Sequence, residues 1–446
     1  MKLKLFLSTI LIYSLNAQDL KTTVNEVLST NPIILERLKN YTSTKEDITS
    51  AKSGYYPKLE LSLGGGMEKS ERKDVNAITT LRDEDNNPID SLSLSVYQNS
   101  LTYTQNLFEG FQTLHRVEAQ EHRTLSAAYS YIEKVNNTSF EMVNTYLQVM
   151  KNRELLDTEK ANVKINLEIF SKVQKLYDAG LTTLSEVNKI ESSLSLAMSN
   201  LVVQENTLED TIYNLQRVLG RTLNPDEMIR PELTTTLPKS LDEAKEFALQ
   251  NNPSLLVIKY NIKFAQASYK EKKAPFYPSI DIEISQSMNK NLSGVHGDDV
   301  RFRAMAYLKY NFFNGFADNA ALQKSLSTLY QEQESKNISK RLVIEGLSLS
   351  WASNKKLREQ LVHLKNYKKF SLKTLTLYSK EYDLGKRSLL DLLSAQNDFI
   401  GSKAQIINTQ YSMLFARYRI LDAMGTLVGA VVDDNSIVYS NVNLSR

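Results

Sequence analysis

A mainly α-helical fold carrying two β-hairpins, built twice over in tandem, is what these 446 residues predict. Three observations carry the prediction. Short sequence marks recur at constant offsets along the chain. All nine prolines fall within residues 32–88 or 225–278. Outside those windows lie proline-free runs far longer than the ~11–12 residues of an average globular helix.

The repeat sets the organisation. Asn252-Pro253 lies 221 residues after Asn31-Pro32, and Tyr277-Pro278 lies the same distance after Tyr56-Pro57. The offset then falls to 205 for Phe313-x-Gly315-Phe316 against Phe108-x-Gly110-Phe111. It stays at 205 for Tyr382-Asp383-x-Gly385 against Tyr177-Asp178-x-Gly180, and for Gly425 against Gly220. One loop of unequal length accounts for the difference. The chain therefore divides into a first repeat at 18–220, a proline-bearing linker at 221–240, a second repeat at 241–426 and a tail at 427–446.

Each element follows in order. Residues 1–17 hold two lysines, an apolar run and then Ala17, the layout of an export signal cut after Ala17. Its apolar run is too short to span ~30 Å of hydrocarbon. In each repeat a short helix ends near Asn-Pro and a second covers 34–53 or 255–273. Tyr-Pro stops that second helix, because proline disfavours the α conformation in the residue before it.

Hairpins follow at 57–108 and 278–313. Leu59, Leu61 and Leu63 alternate with Lys58, Glu60 and Ser62, and Ile280, Ile282 and Ile284 alternate with Asp281 and Glu283. Period-two alternation means one apolar face and one wet face. Gly64-Gly65-Gly66 predicts the end of the first strand. The segments between strands, 71–91 and 289–300, are polar loops. Long helices are then expected at 111–179 and 181–219, and again at 316–384 and 386–424. At 1.5 Å per residue the first would reach ~100 Å. Val187, Ile190, Leu194, Leu201, Leu208, Ile212, Leu215 and Leu219 step by threes, fours and sevens, the spacing of helices that pack along a neighbour.

Composition excludes several functions. A net charge of +3 from 54 basic and 51 acidic residues leaves no nucleic-acid footprint. The absence of cysteine removes disulfides, thiolate metal sites and a cysteine nucleophile. His115 and His122 could share a helix face, but no third histidine stands at metal spacing. No phosphate-binding loop, dinucleotide fingerprint or serine elbow occurs, so neither catalysis nor a cofactor is expected.

After the N-terminus no run approaches 18 apolar residues, so entry into a membrane would be by strands. Two hairpins supply four. The smallest single-chain barrels need about eight, and unpaired edges in hydrocarbon leave several kcal/mol per group unsatisfied. The chain must then pool strands with copies of itself; three copies give twelve. Tyr55, Tyr56, Phe108, Phe276, Tyr277, Tyr310, Phe312 and Phe313 cluster at the strand ends, as an interfacial aromatic belt would.

Taken in this order and found twice, the Asn-Pro, Tyr-Pro, Phe-x-Gly-Phe and Tyr-Asp-x-Gly marks resemble those of the TolC-like outer membrane factors, from about Leu20 to Gly425. The resemblance implies a homotrimer: a long α-helical coiled-coil barrel in the periplasm, continuous with a twelve-stranded β-barrel amid the lipid of the bacterial cell outer membrane. It implies an exit duct for a tripartite efflux or type I secretion system. The duct would open when a periplasmic membrane-fusion adaptor and an inner-membrane ABC or proton-driven transporter engage its tip.

The Tyr-Asp-x-Gly turns would form that tip. By the same resemblance Tyr382 faces Glu186, Arg387 faces Ser185, and Asp391 begins an acidic ring whose second position here is Ser394. Gly180, Leu181, Thr182, Gly385, Lys386 and Arg387 would meet the adaptor. Two rivals remain from sequence: a soluble periplasmic coiled-coil scaffold or adaptor with a small β-sandwich, and a coiled-coil adhesin. Duplicated hairpins with polar loops speak against the first, and the internal duplication against the second.

Overall fold

The computed structural model describes residues 18–71, 81–83, 85, 87–89, 91–233, 235–434 and 436–444. The expected export signal and part of the first polar loop lie outside them. The elements are α1 (Leu20–Thr30), α2 (Pro32–Lys52), β1 (Lys58–Glu71), β2 (Leu81–Arg82), β3 (Pro88–Ile89) and β4 (Ser91–Glu109). There follow α3 (Gln112–Asp178), α4 (Leu184–Leu219), α5 (Leu241–Asn251) and α6 (Pro253–Glu271). The chain continues through β5 (Ser279–Lys290), β6 (Asp298–Lys309), α7 (Ala317–Asp383), α8 (Leu389–Met424), α9 (Leu427–Val432) and α10 (Ser436–Tyr439). No helix among the described residues is long and apolar enough to cross a membrane.

Two compact units emerge. The first comprises Met1–Lys39, Ala128–Leu256 and Ile338–Arg446. Side-chain contacts order its long helices as α4, α3, α8, α7. Ser193 on α4 donates to Asn166 Oδ1 on α3 at 3.0 Å. Gln396 on α8 donates to Asn162 Oδ1 on α3 at 3.1 Å, and Tyr411 to Glu154 at 2.6 Å. Tyr367 on α7 donates to Asp398 on α8 at 3.2 Å.

Val187, Ile190, Leu194, Leu215 and Leu219 are buried, as their spacing demands. The two outer helices keep apolar residues on their far sides. Leu342, Leu349, Phe370 and Leu377 lie at multiples of seven along α7, and each is more than half exposed; so are Leu196, Val202 and Val203 on α4.

The Asn-Pro marks explain how α4 and α8 end. Proline opens α2 and α6, where its missing N–H costs nothing. The preceding asparagine accepts from the new helix, Asn31 from Ile33 N at 2.9 Å and Asn252 from Ser254 N at 3.0 Å. Its amide then donates to a last-turn carbonyl: Asn31 to Val218 O and Asn252 to Ala423 O, each at 2.8 Å. The linker is tied down too. Arg153 donates to Pro225 O, and Tyr146 donates to Ile229 O at 2.7 Å. The tail packs inward through Leu427, Val428, Val432, Val438 and Val442, which its composition did not announce.

The second unit comprises Asn40–Ala127 and Val257–Asn337. Its sheet runs β1-β4-β5-β6, every pair antiparallel. The strands of 12 to 19 residues exceed the ~9–11 that a tilted membrane strand needs. β1 continues through the three glycines to Glu71, so the expected strand end there is wrong. Pairing with β4 carries it on; Gly65 lies opposite Tyr97, whose ring stands 3.5 Å from where a Cβ would be. β6 spans Asp298–Lys309, ending before Tyr310.

Registration sorts the side chains into two faces. Leu61, Leu101 and Gln286 align with Phe302, and Leu59, Tyr103 and Ile284 align with Ala304. The other face carries Glu60, Thr102, Ser285 and Arg303. Leu61 remains 64% exposed and Phe302 69%, so this chain alone leaves the apolar face uncovered. Among the described residues β1 and β6 each have one unpaired edge.

The strand-end aromatics meet edge to face. Phe108 lies 5.2 Å from Phe111, Phe111 6.0 Å from Tyr277, and Phe313 5.2 Å from Phe316. Both Phe-x-Gly-Phe marks turn strand into helix through paired left-handed residues: Gly110 (φ 62°) with Phe111 (65°), and Gly315 (56°) with Phe316 (64°). Glycine is required at 110, where a Cβ would stand 2.5 Å from the Ala274 carbonyl oxygen.

Candidate functional site

The two Tyr-Asp-x-Gly turns close their helices by the same pair of bonds. Gly180 N–H donates to Tyr177 O and Leu181 N–H to Leu176 O, both at 2.8 Å. Gly385 N–H donates to Tyr382 O and Lys386 N–H to Glu381 O, both at 2.9 Å. This double closure needs a left-handed residue, and Gly180 and Gly385 have φ of 73° and 70°. Ser388 then caps α8, accepting from Asp391 N at 3.2 Å.

Beneath the turns one apolar cluster gathers all four helix ends. Ile169 and Val173 come from α3, Val187 and Ile190 from α4, Tyr382 from α7, and Leu389, Leu392 and Leu393 from α8. That burial aims Tyr382 at α4: its phenol donates to Glu186 Oε2 at 3.3 Å. Burial and the adjacent carboxylate push the phenol up to about 12, so it stays a donor throughout the physiological range. Glu186 also accepts from the Thr182 hydroxyl.

Arg387 behaves otherwise. Its Nε and Nη2 both stand 2.9 Å from Glu381 Oε2, its plane lies 4.2 Å from the Tyr378 ring centroid, and Asp391 is 3.9 Å away. It therefore does not meet Ser185, which is exposed at the start of α4. A carboxylate on the same hairpin outcompetes a neutral hydroxyl for a guanidinium. Asp391 is half-buried and shared between its helix cap and Arg387, accepting from the Ser388 hydroxyl at 2.9 Å.

Two residues missed from sequence complete the tip. Glu381 holds Arg387, and Asp383 on α7 pairs with Lys172 on α3. Glu381 lies six residues before Arg387, a spacing that meets only because the glycine turn folds the chain back. Gly180, Leu181, Gly385 and Lys386 project on the turns, with Leu181 75% exposed; Thr182 is half-buried.

The histidines are placed far from a metal role. His115 stands 3.0 Å from Glu118, and burial holds His122 below its usual range. Among the described residues no cluster of three metal-ligating side chains forms.

The profile of the outer membrane efflux protein family matches residues 23–221 and 246–426. The chain is 22% identical over 383 residues to the outer membrane efflux protein BepC of Brucella suis, covering 86% of this chain and 80% of that one. It is 20% identical over 425 residues to the outer membrane protein TolC of Vibrio cholerae, covering 92% and 91%. The crystal structure of the Campylobacter jejuni CmeC outer membrane channel superposes with a TM-score of 0.78 at 13% identity, covering 92% and 86%. With its duplicated marks, open-edged sheet and long helices accounted for by these matches, the chain belongs to the outer membrane efflux protein family, whose members are outer membrane channel proteins.

Proposed function

We propose that three copies of this chain assemble into a channel-tunnel through the outer membrane, serving as the exit duct of a tripartite efflux or type I secretion system. The observation that carries it is the sheet: four strands, one mainly apolar face left exposed and an unpaired strand edge at each end. Lipid rewards the face and penalises the edges, and sister copies remedy both by adding β6 of one copy to β1 of the next. The exposed aromatics then sit at the headgroup level.

The helices favour the same closure. In the order α4, α3, α8, α7 the outer helices present apolar columns that meet when α7 of one copy packs on α4 of the next.

The tip is the proposed gate. Tyr382 and Glu186 join the two repeats, Arg387 braces its own turn, and Asp391 lies at the entrance. Gly180, Leu181, Thr182, Gly385, Lys386 and Arg387 offer the surface for a periplasmic adaptor, behind which stands an inner-membrane ABC or proton-driven transporter. Residues 1–17 direct export. The test is to insert the purified mature protein into planar lipid bilayers. Discrete, uniform conductance steps support the duct; a protein that leaves the bilayer silent and fractionates away from outer membranes refutes it.

A further inference from the structure

The two faces of the sheet exchange character near the loop ends of its strands. On β4 the odd positions Leu101 and Tyr103 belong to the apolar face, and the even position Thr102 belongs to the polar one. Beyond Tyr97 this is inverted. Ser95, Ser93 and Ser91 take the odd positions, opposite Met67, Lys69 and Glu71. Val96, Leu94 and Leu92 take the even positions, and Val96 and Leu94 are buried.

From Phe108 to Tyr97 the strand runs ~36 Å, which rises ~25–30 Å at the ~35–45° tilt of membrane barrels. That matches the ~25 Å lipid-facing band of such barrels. The inverted stretch therefore stands beyond the lipid, with its apolar side chains on the inner wall. A water-filled passage has no use for an apolar wall unless something covers it.

The chain supplies the cover. Between β5 and β6 the turn at Leu292–Gly294 packs over β4 and reaches β1. A Cβ on the buried Gly294 would stand 2.9 Å from Leu81 Cδ2 and 3.1 Å from Ser70 Cβ. Ser70 lies on the same face as Glu60, so the turn lies on the inner side. Leu81, on β2, is 1% exposed. Asn291 ties the turn down: its side-chain amide donates to Ser95 O at 3.0 Å, and its Oδ1 accepts from Gly297 N at 3.0 Å. Asn291 and Ser293 both hold left-handed backbone, φ 59° and 58°, which is uncommon for residues with a side chain. Such conformations persist only where the surroundings impose them, and they gather at clamps and switches.

We infer that residues 291–297, seated over β4 and β1 and braced by Leu81, form a strap that narrows the outer mouth of the duct from within. The inference rests on the trimeric duct reading and adds to it a constriction separate from the tip. Three copies bring three straps to one mouth. Crossing two strands at ~4.8 Å each, every strap covers ~10 Å of inner wall. Small solutes pass beside it, and a bulky one requires it to lift.

The reporter is a single cysteine in place of Thr102, on the inner wall below the strap, in a chain that has no other. Intact cells are treated from outside with a small charged maleimide or with a polyethylene-glycol maleimide of several kilodaltons. Either reagent reaches the inner wall through the outer mouth alone, so the state of the tip does not enter. The strap is released by Asn291→Ala/Gly294→Leu and, independently, by Leu81→Ser, which leaves the loop's own residues intact. We expect each release to raise the ratio of bulky to small labelling roughly fivefold or more. An unchanged ratio in both release variants overturns the inference. So does labelling of Leu101→Cys while Thr102→Cys stays silent, because the strap would then lie on the outer side. Native mass spectrometry of the purified proteins separates the two readings. Wild type that is monomeric ends the duct reading, whereas trimers with an unchanged ratio end the strap alone. Release variants that fall apart to monomers would make the loop a brace of assembly and overturn the inference as well.

Discussion

Tyr382 at the end of α7 donates its phenol to Glu186 at the start of α4, 3.3 Å away, so the tip turns of the two repeats are joined within one chain. A hydrogen bond to a carboxylate contributes ~1.5–3 kcal/mol. Tyr382→Phe removes that bond and keeps the ring in its apolar cluster. Combined with Arg387→Ala, it is expected to raise leakage through the closed pore, read as a larger resting conductance in planar bilayers. Unchanged conductance would remove the gate role from both residues.

The asparagines of the Asn-Pro marks act on stability. Asn31 and Asn252 each cap one helix and hold the last turn of another. Replacing either by alanine is expected to cost ~1–2 kcal/mol or somewhat more, because the buried carbonyl is also orphaned. Thermal unfolding should show a clear drop for both. Asn→Asp, which keeps the cap acceptor and loses the donor, should recover only part of it.

Glycines at the turns differ in what they tolerate. A Cβ at Gly180 or Gly385 would meet nothing within 4 Å, so alanine there costs only the left-handed conformation, ~1–2 kcal/mol. At Gly110 the added methyl strikes the Ala274 carbonyl as well. Gly180→Ala and Gly385→Ala should yield normal amounts of assembled protein, and Gly110→Ala markedly less; equal yields would contradict this.

Asp422 gives a pH dependence. Its carboxyl accepts from Asn136 at 2.6 Å, and burial pushes it up to about 7 despite the nearby Arg419. The folded state holds this proton more tightly than the unfolded chain, whose value is ~3.9. The stabilisation is therefore complete below about pH 4 and is lost as pH rises to about 7. Asp422→Asn should abolish that slope and melt above wild type at pH 8, by on the order of 1–3 kcal/mol. Parallel pH profiles for the two proteins would show the carboxyl to be solvated.

Much of the fold was legible because it depends on local chemistry. Helix lengths follow from the absence of proline, and the tip turns from a glycine after Tyr-Asp. The run of β1 past Gly64 was not legible, because the strand is held there by its partner β4. At the tip, Tyr382 and Glu186 could be paired by resemblance. Arg387 could not be placed without knowing that the turn brings Glu381 beside it. The tail's burial depends on distant surfaces that no local pattern reports.

The absence of cysteine allows a direct measurement of the central claim, that sister copies complete the sheet. Glu60→Cys on β1 and Tyr307→Cys on β6 place one thiol on each open-edge strand, both on the polar face. Cross-linking with short bifunctional maleimides in native outer membranes should give a ladder ending at the mass of three chains. Protein that stays at the mass of one chain, soluble without detergent, would contradict the account.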